Sequence, residues 1–286
     1  MKKFNYRYIN KNSIFFLMLY LIGILHWYLF MQLGNPTWKT FDWRVTHQVA
    51  HDVIHEAVSQ KRIPYHVTSF DVPIIGTPIE TGTNGSYDVR WFSNGYPMVS
   101  IQAIIFGLFN TPLAMTLNII FYYSIGFIGL ILWSNKLNLN RNSFFFLFMI
   151  MSFCGYIVSR IGVGHSGSVN SYLYISLYFW FLYKFIEIKE KTWYKNLSNV
   201  FQFSLFIFFA ALNCNGAQIY QFMFIGMIVM LFYPKQWLWY LLSLVLSFVL
   251  MIFYIIPTAL FSSYMKAERI YFAGYGFQSG DSGIPL

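Results

Sequence analysis

The chain has 286 residues, of which 57% are hydrophobic and 10% are charged, and its formal net charge is +9. A soluble domain carries roughly 25% charged residues, so this composition excludes an ordinary water-exposed globular protein. The 19 Lys and Arg residues are scattered between apolar runs, which argues against a nucleic-acid-binding surface. Cys154 and Cys214 lack the paired spacing of a zinc site or a disulfide framework. The composition predicts a membrane protein.

Seven apolar segments are predicted to be transmembrane helices, because a spanning helix needs about 20 mainly apolar residues. The first segment follows a basic N-terminus but is too long for a signal peptide and has no cleavage site after it, so we expect it to be retained. The predicted fold is an all-α polytopic membrane protein. Its predicted spans are 13–33, 113–134, 143–159, 169–186, 199–214, 217–233 and 237–257.

These spans divide the chain into three predicted parts. Residues 1–12 are a cytoplasmic tail, residues 13–257 are the transmembrane module, and residues 258–286 are a C-terminal segment outside the membrane. The module includes a long extracytoplasmic first loop, 34–97, whose surface helices are expected to be amphipathic. It also includes a short apolar segment, 98–109, which cannot span a bilayer and is predicted to be a helix that lies at the interface or re-enters it.

The basic residues predict the orientation, since short cytoplasmic loops are rich in Lys and Arg. With the N-terminus in the cytoplasm, Arg160 is the one basic residue in a short outside loop before the C-terminal segment. The basic residues then predicted on the inside are Lys2, Lys3, Arg7, Lys11, Lys136, Arg141, Lys184, Lys189, Lys191, Lys195 and Lys235.

The first loop differs in composition from the rest of the chain, because it holds four of the six histidines and six of the ten acids. Asp42 follows the first predicted span closely, at the outer rim of the bilayer. A carboxylate that is wet on one side and apolar on the other suits a general base acting on an acceptor hydroxyl. Asp42 is therefore the candidate catalytic residue. The alternative is that Asp42 is an ordinary loop residue whose carboxylate is exposed to water. His47, Asp88 and Arg90 are candidates for acceptor binding.

A second pattern in this loop concerns metal binding. Apolar residues at helical spacing predict an amphipathic surface helix over 43–60. On such a helix His47, His51 and His55 share one face with Asp52 beside them, so two imidazoles could bind one divalent cation. The alternative is that these side chains form the polar face that contacts lipid headgroups.

The segment 160–167, with the sequence RIGVGHSG, is predicted to be a tight outside turn between the third and fourth spans. Glycines let backbone N–H groups approach an anion, and arginine binds phosphate oxygens bidentately. Arg160, Gly164 and His165 are therefore candidates for a phosphate or diphosphate site, with a flexible turn and a snorkelling Arg160 as the alternative. The GxSG motif in this segment also resembles the motif of rhomboid proteases. The serine of those proteases is activated by a histidine later in the chain, and His165 is the last histidine of this sequence.

The order of these features resembles the GT-C superfamily of polytopic glycosyltransferases. The resemblance covers about residues 10–260 and rests on degenerate motifs: Asp42 and His47 early in the first loop, Ile63-Pro64 after the predicted surface helix, Tyr96-Pro97 before the short apolar helix, and Arg160 with Gly164-His165. It implies inverting transfer of a hexose from a polyprenyl-phosphate carrier to an extracytoplasmic acceptor. Asp42 would be the catalytic residue, with Arg160 and His165 near the lipid phosphate. The resemblance also implies the inner (plasma) membrane of a bacterium, with the lipid-linked sugar and membrane lipid as partners.

Two departures from the superfamily leave alternatives open. The adjacent acid pair of many members is missing, so a requirement for a divalent cation stays open. Members of the superfamily usually continue past seven helices, so we expect this chain to be either truncated at its C-terminus or an unusually short member. A lipid-linked-sugar flippase or transporter is an alternative, although it would need polar groups at mid-membrane depth. A non-enzymatic membrane assembly protein whose loop binds a partner is another.

Overall fold

The computed structural model describes residues 6–32, 55, 58–59, 66–68, 86–88, 101–162, 166–187, 193–213 and 216–252. These residues are almost all helical. The helices are α1 (Tyr6–Gln32), α2 (Ile101–Leu108), α3 (Thr111–Leu137), α4 (Arg141–Phe153), α5 (Gly155–Gly162), α6 (Ser166–Ile186), α7 (Trp193–Asn213), α8 (Gly216–Leu231) and α9 (237–252), with a 3-10 turn at Pro234–Gln236 before α9. The first loop also contributes a small antiparallel ribbon, β1 (His66–Thr68) and β2 (Ser86–Asp88), which the all-α prediction did not include.

Each predicted span overlaps helical residues in the described part of the chain. Four segments have the length and apolar composition to cross a bilayer, and they are Asn12–Met31, Thr111–Leu137, Arg141–Gly162 and Pro234–Ile252. Two shorter apolar helices, Leu173–Ile186 and Tyr220–Leu231, lie between them in the chain. The helical membrane class is thus confirmed by length and composition, and the crossing of all seven segments stays a prediction.

The third predicted span, 143–159, consists of two helices rather than one. Cys154 lies between α4 and α5 with an extended backbone, at φ −63° and ψ 145°. Gly155 follows it directly, and glycine has a low helix propensity. Helical hydrogen bonding then resumes, since the amide of Val158 donates to the carbonyl of Cys154 at 3.2 Å. The two helices together cover 22 residues, which is longer than the predicted span.

Helices α1 and α3 run antiparallel. The hydroxyl of Tyr123 lies 3.3 Å from the carbonyl oxygen of Leu19 and 3.2 Å from that of Tyr20. Nearer the start of α1, Nε of Arg141 donates to Oδ1 of Asn12 at 2.7 Å. The start of α1 therefore lies where α3 ends and α4 begins. We call this end of the helices the basic end.

The basic end also holds an ion pair. Lys136 donates to Glu187 at 2.5 Å, and both side chains are mostly buried. One turn before Glu187, Lys184 lies over the ring of Trp180, 3.9 Å from its centroid, and donates to Gln202 at 3.0 Å. These contacts bring the end of α3, the end of α6 and the first half of α7 together, which leaves Arg160 at the opposite end.

Helices α3 and α6 run parallel and approach each other through glycines. A Cβ at Gly126 would lie 2.5 Å from the carbonyl oxygen of Leu173, and one at Gly129 would lie 2.6 Å from the amide nitrogen of Leu177. The hydroxyl of Ser176 donates to the carbonyl of Gly126 at 2.8 Å. Small residues allow such close backbone packing between membrane helices. This pair forms the central axis of the bundle.

Helix α8 is held by two tyrosines from neighbouring helices. Tyr178 donates to the carbonyl of Phe222 at 2.5 Å, and Tyr240 donates to the carbonyl of Met223 at 2.9 Å. Both hydroxyls occupy the space that a side chain at Gly226 would need. Phenol groups thus satisfy their hydrogen bonds on helix carbonyls inside an apolar core.

Candidate functional site

Arg160 lies on the last turn of α5, at the end of the bundle opposite the basic end. Its guanidinium lies over the ring of Tyr156, 5.2 Å from the centroid. The prediction of a turn over 160–167 is wrong for most of its length, because α5 continues to Gly162 and α6 begins at Ser166. Ile157 and Ile161 are fully buried one turn apart and fix α5 to the bundle. Burial of these two side chains extends the helix beyond what the glycines indicated.

The start of α6 gives this end of the bundle a second positive group. The first amides of an α-helix have no partner within the helix, and the helix dipole makes its N-terminus attractive to anions. Helix α6 has 21 residues and no acid in its first turn. Helices α1, α3, α5 and α6 contain no Asp or Glu at all. Charge and dipole at this end of the four helices therefore favour an anion.

The first loop leaves the bundle at this same end. The ring of His26 in α1 contacts the ring of Phe153 with centroids 4.7 Å apart, so the second half of α1 lies beside the end of α4. Helix α1 ends at Gln32, and Asp42 follows ten residues later (42 − 32 = 10). The remaining candidate residues outside the described part are His47, His51, Asp52, Arg90, Gly164 and His165.

One described contact joins the first loop to the bundle. His55, Val58 and Ser59 are helical, as predicted for the surface helix over 43–60. A Cβ at Gly107 of α2 would lie 2.8 Å from Cγ2 of Val58, so the two segments pack closely. Phe106, beside Gly107, is fully buried. The predicted short helix within 98–109 is confirmed as α2, and its position at the membrane interface stays a prediction.

Two further candidates are placed in part. Asp88 lies on β2 opposite His66 of β1. Within the described ranges, no three His, Cys, Asp or Glu residues cluster as metal ligands. His55 is the member of the predicted metal set that these ranges include, so they do not test the set as a whole.

Asn118 of α3 is a polar residue that the sequence analysis did not single out. Its side chain is 0% exposed, and neither Nδ2 nor Oδ1 has a hydrogen-bond partner within the described part of the chain. Buried amides normally have partners, and polar residues inside membrane helices are often functional. The sequence feature that could have drawn attention to Asn118 is that it is a single carboxamide within an apolar span.

Comparison with models of known protein families, with curated proteins and with solved structures finds no match to the chain. The functional assignment therefore rests on the residues and geometry of the chain itself.

Proposed function

We propose that the protein is a membrane glycosyltransferase that transfers a sugar from a polyprenyl-phosphate carrier to an acceptor on the extracytoplasmic face, with inversion. The observation that supports the proposal is that three features lie at the same end of the bundle. These features are Arg160, the N-terminus of α6, and the end of α1 from which the acid-rich first loop departs. An anion site and a candidate base would thus share one side of the membrane.

The proposed chemistry is a displacement at the anomeric carbon. Asp42 removes the proton from an acceptor hydroxyl, and the acceptor oxygen forms a bond to the anomeric carbon of the sugar. The bond from that carbon to the phosphate oxygen breaks, and the electron pair leaves with polyprenyl phosphate. Arg160 and His165 stabilise the negative charge that develops on the leaving phosphate.

The orientation is supported by the charges at the two ends of the helices. Lys136, Arg141 and Lys184 gather at the basic end, and Arg160 lies at the other. Because basic residues concentrate on the cytoplasmic side, the Arg160 end would face outwards. Polyprenyl-linked sugars used in the cell envelope are presented on that face, which fits the proposed reaction.

The proposal is tested by following sugar transfer in proteoliposomes that contain the full chain. The donor is a polyprenyl-phosphate sugar, and released polyprenyl phosphate is measured. We expect Asp42→Asn to lower kcat by roughly 100-fold or more, since general base catalysis commonly contributes this much. Asp71→Asn, a matched change later in the same loop, should retain activity. An Asp42→Asn protein that inserts normally and transfers at the native rate rejects the mechanism.

A lipid-linked-sugar flippase is the second candidate function. Ser152 and Ser176 are buried and line a cavity of about 10 Å³ between α3, α4 and α6, with room for about one water molecule. Such polar groups deep in a bundle are typical of transport paths. The described membrane helices carry no Asp or Glu, which disfavours ion coupling. A flippase would move the lipid in the same proteoliposomes without releasing polyprenyl phosphate.

A further inference from the structure

We infer that Asn118 is a sugar-binding residue of the donor site, whose carboxamide binds a hydroxyl group of the lipid-linked sugar. The inference rests on the proposed function for the identity of the ligand. The placement of Asn118 and the state of its amide are properties of the structure itself.

The helix register places Asn118 beside the start of α6. Gly126 packs on Leu173, Asn118 lies eight residues earlier in α3 (126 − 118 = 8), and Ser166 lies seven residues earlier in α6 (173 − 166 = 7). At 1.5 Å per residue these steps are about 12 Å and about 10 Å along two parallel helices. Asn118 is therefore level with the first turn of α6, near the end of α5 that carries Arg160.

The face of α3 on which Asn118 lies is also defined. Asn118, Tyr122 and Gly126 follow one another at four-residue intervals, so they share one side of the helix. Gly126 contacts the backbone of α6, and the ring of Tyr122 meets the ring of Tyr174 with centroids 5.5 Å apart. Asn118 therefore faces α6, one turn before the position where Tyr122 packs on Tyr174.

The chemistry of the amide selects the kind of ligand. A carboxamide offers two donor hydrogens on nitrogen and an acceptor oxygen, and a hydroxyl group both donates and accepts. Both atoms of the Asn118 amide lack partners within the described residues. A phosphate oxygen would satisfy the nitrogen and leave the oxygen unmatched. A sugar hydroxyl satisfies both atoms, while Arg160 and the α6 N-terminus match the phosphate.

Other buried asparagines in the described helices do not share this position. Asn12 is bonded to Arg141 at the basic end, and Asn135 lies in the last turn of α3 at that same end. Asn196 is 2% exposed and its Nδ2 has no partner within the described residues, but it lies in the first turn of α7. Asn196 is thus a matched control at the opposite end of the bundle.

The first experiment measures thermal unfolding of the full chain in detergent without ligand. Asn118→Leu has a similar shape and removes an unsatisfied amide, so we expect Tm to rise by about 2–6 °C. Asn118→Val is a smaller second variant in case leucine overpacks the site, and it should not lower Tm. An unchanged or lower Tm in both variants would mean that the protein itself satisfies the amide, and the inference would fall.

The second experiment measures binding of two probes, farnesyl phosphate and its mannosyl ester, to the native chain and its variants. We expect the native chain to bind the mannosyl probe about tenfold more tightly than farnesyl phosphate. Asn118→Leu should abolish this difference and still bind farnesyl phosphate, whereas Asn196→Leu should behave as native. Arg160→Gln should weaken both probes. A native chain without sugar preference, or an Asn118→Leu chain that keeps it, overturns the inference.

The outcomes also separate this inference from the proposed enzyme. Sugar preference that depends on Asn118 in a chain that transfers no sugar would keep the binding role and reject the transferase. Conversely, native transfer kinetics in Asn118→Leu together with loss of activity in Asp42→Asn would support the transferase. That result would reject the role of Asn118 in sugar binding.

Discussion

Ser176 donates a hydrogen bond from its hydroxyl to the carbonyl oxygen of Gly126, 2.8 Å away, at the centre of the contact between α6 and α3. The bond is possible because Gly126 has no side chain to keep the two backbones apart. This contact sets the register of the two helices. It thereby places Asn118 level with the start of α6 and Lys136 beside Glu187.

Replacement of Gly126 tests this contact. Gly126→Leu would drive a side chain into the backbone of Leu173, and overpacking of this kind costs about 1–3 kcal/mol or more. We expect a clear loss of thermal stability in detergent. Gly155→Leu is the matched control, since no atom of the described residues lies within 4 Å of a Cβ at Gly155. Equal stability of the two variants would contradict the α3–α6 packing.

The buried hydroxyl of Tyr178 tests the attachment of α8. Tyr178→Phe removes the hydrogen bond to Phe222, and such bonds between membrane helices contribute about 0.6 kcal/mol on average and up to about 1.7. The free energy of unfolding, measured in mixed micelles, should fall by an amount within this range. Tyr220→Phe, at a position 72% exposed to the surroundings of the bundle, should show no loss. A Tyr178→Phe chain as stable as native would contradict the assignment.

The ion pair between Lys136 and Glu187 tests the basic end. Because both side chains are mostly buried, removing one partner leaves a poorly solvated charge, and Glu187→Gln should destabilise by about 3 kcal/mol. Lys136→Met combined with Glu187→Gln should cost less than the sum of the two single changes, as expected for directly coupled residues. Lys235→Met, a change at an exposed lysine, serves as control. Additive effects in the double mutant would contradict the pairing.

The orientation is open to a labelling experiment. In a chain whose Cys154 and Cys214 are changed to serine, Asn110→Cys lies at the Arg160 end and Lys235→Cys lies at the basic end. A membrane-impermeant maleimide added to intact cells should label the cysteine at position 110. It should label the cysteine at position 235 only after the cells are permeabilised. The reverse pattern would place the Arg160 end in the cytoplasm and contradict the proposed site of transfer.

The helices of this bundle could be predicted from the sequence because each apolar run is bounded by polar residues or glycines. The break at Cys154 could not, since the residues from Arg141 to Gly162 are apolar enough to form one continuous span. The length of α5 depends on burial of Ile157 and Ile161, which is a property of tertiary packing. The short ribbon of β1 and β2 gave no signal because three residues carry too little alternation.

The candidate site could be predicted in part. Arg160 could be predicted because it is the one basic residue in a short loop predicted to lie outside the membrane, and this is a charge pattern along the chain. Asn118 was not found, since one carboxamide in an apolar helix does not reveal whether it faces lipid or a neighbouring helix. The glycines at 126 and 129 decide that question, and their contact with α6 depends on the fold.

The central claim is that Asp42 and Arg160 meet at one extracytoplasmic site, and cross-linking tests it most directly. In the cysteine-free chain, Asp42→Cys combined with Arg160→Cys should be joined in membranes by a short bifunctional maleimide. Asp42→Cys combined with Lys235→Cys should not be joined. If both single cysteines at 42 and 160 react with a monofunctional maleimide and yet the pair is never joined, the two residues are apart and the account is contradicted.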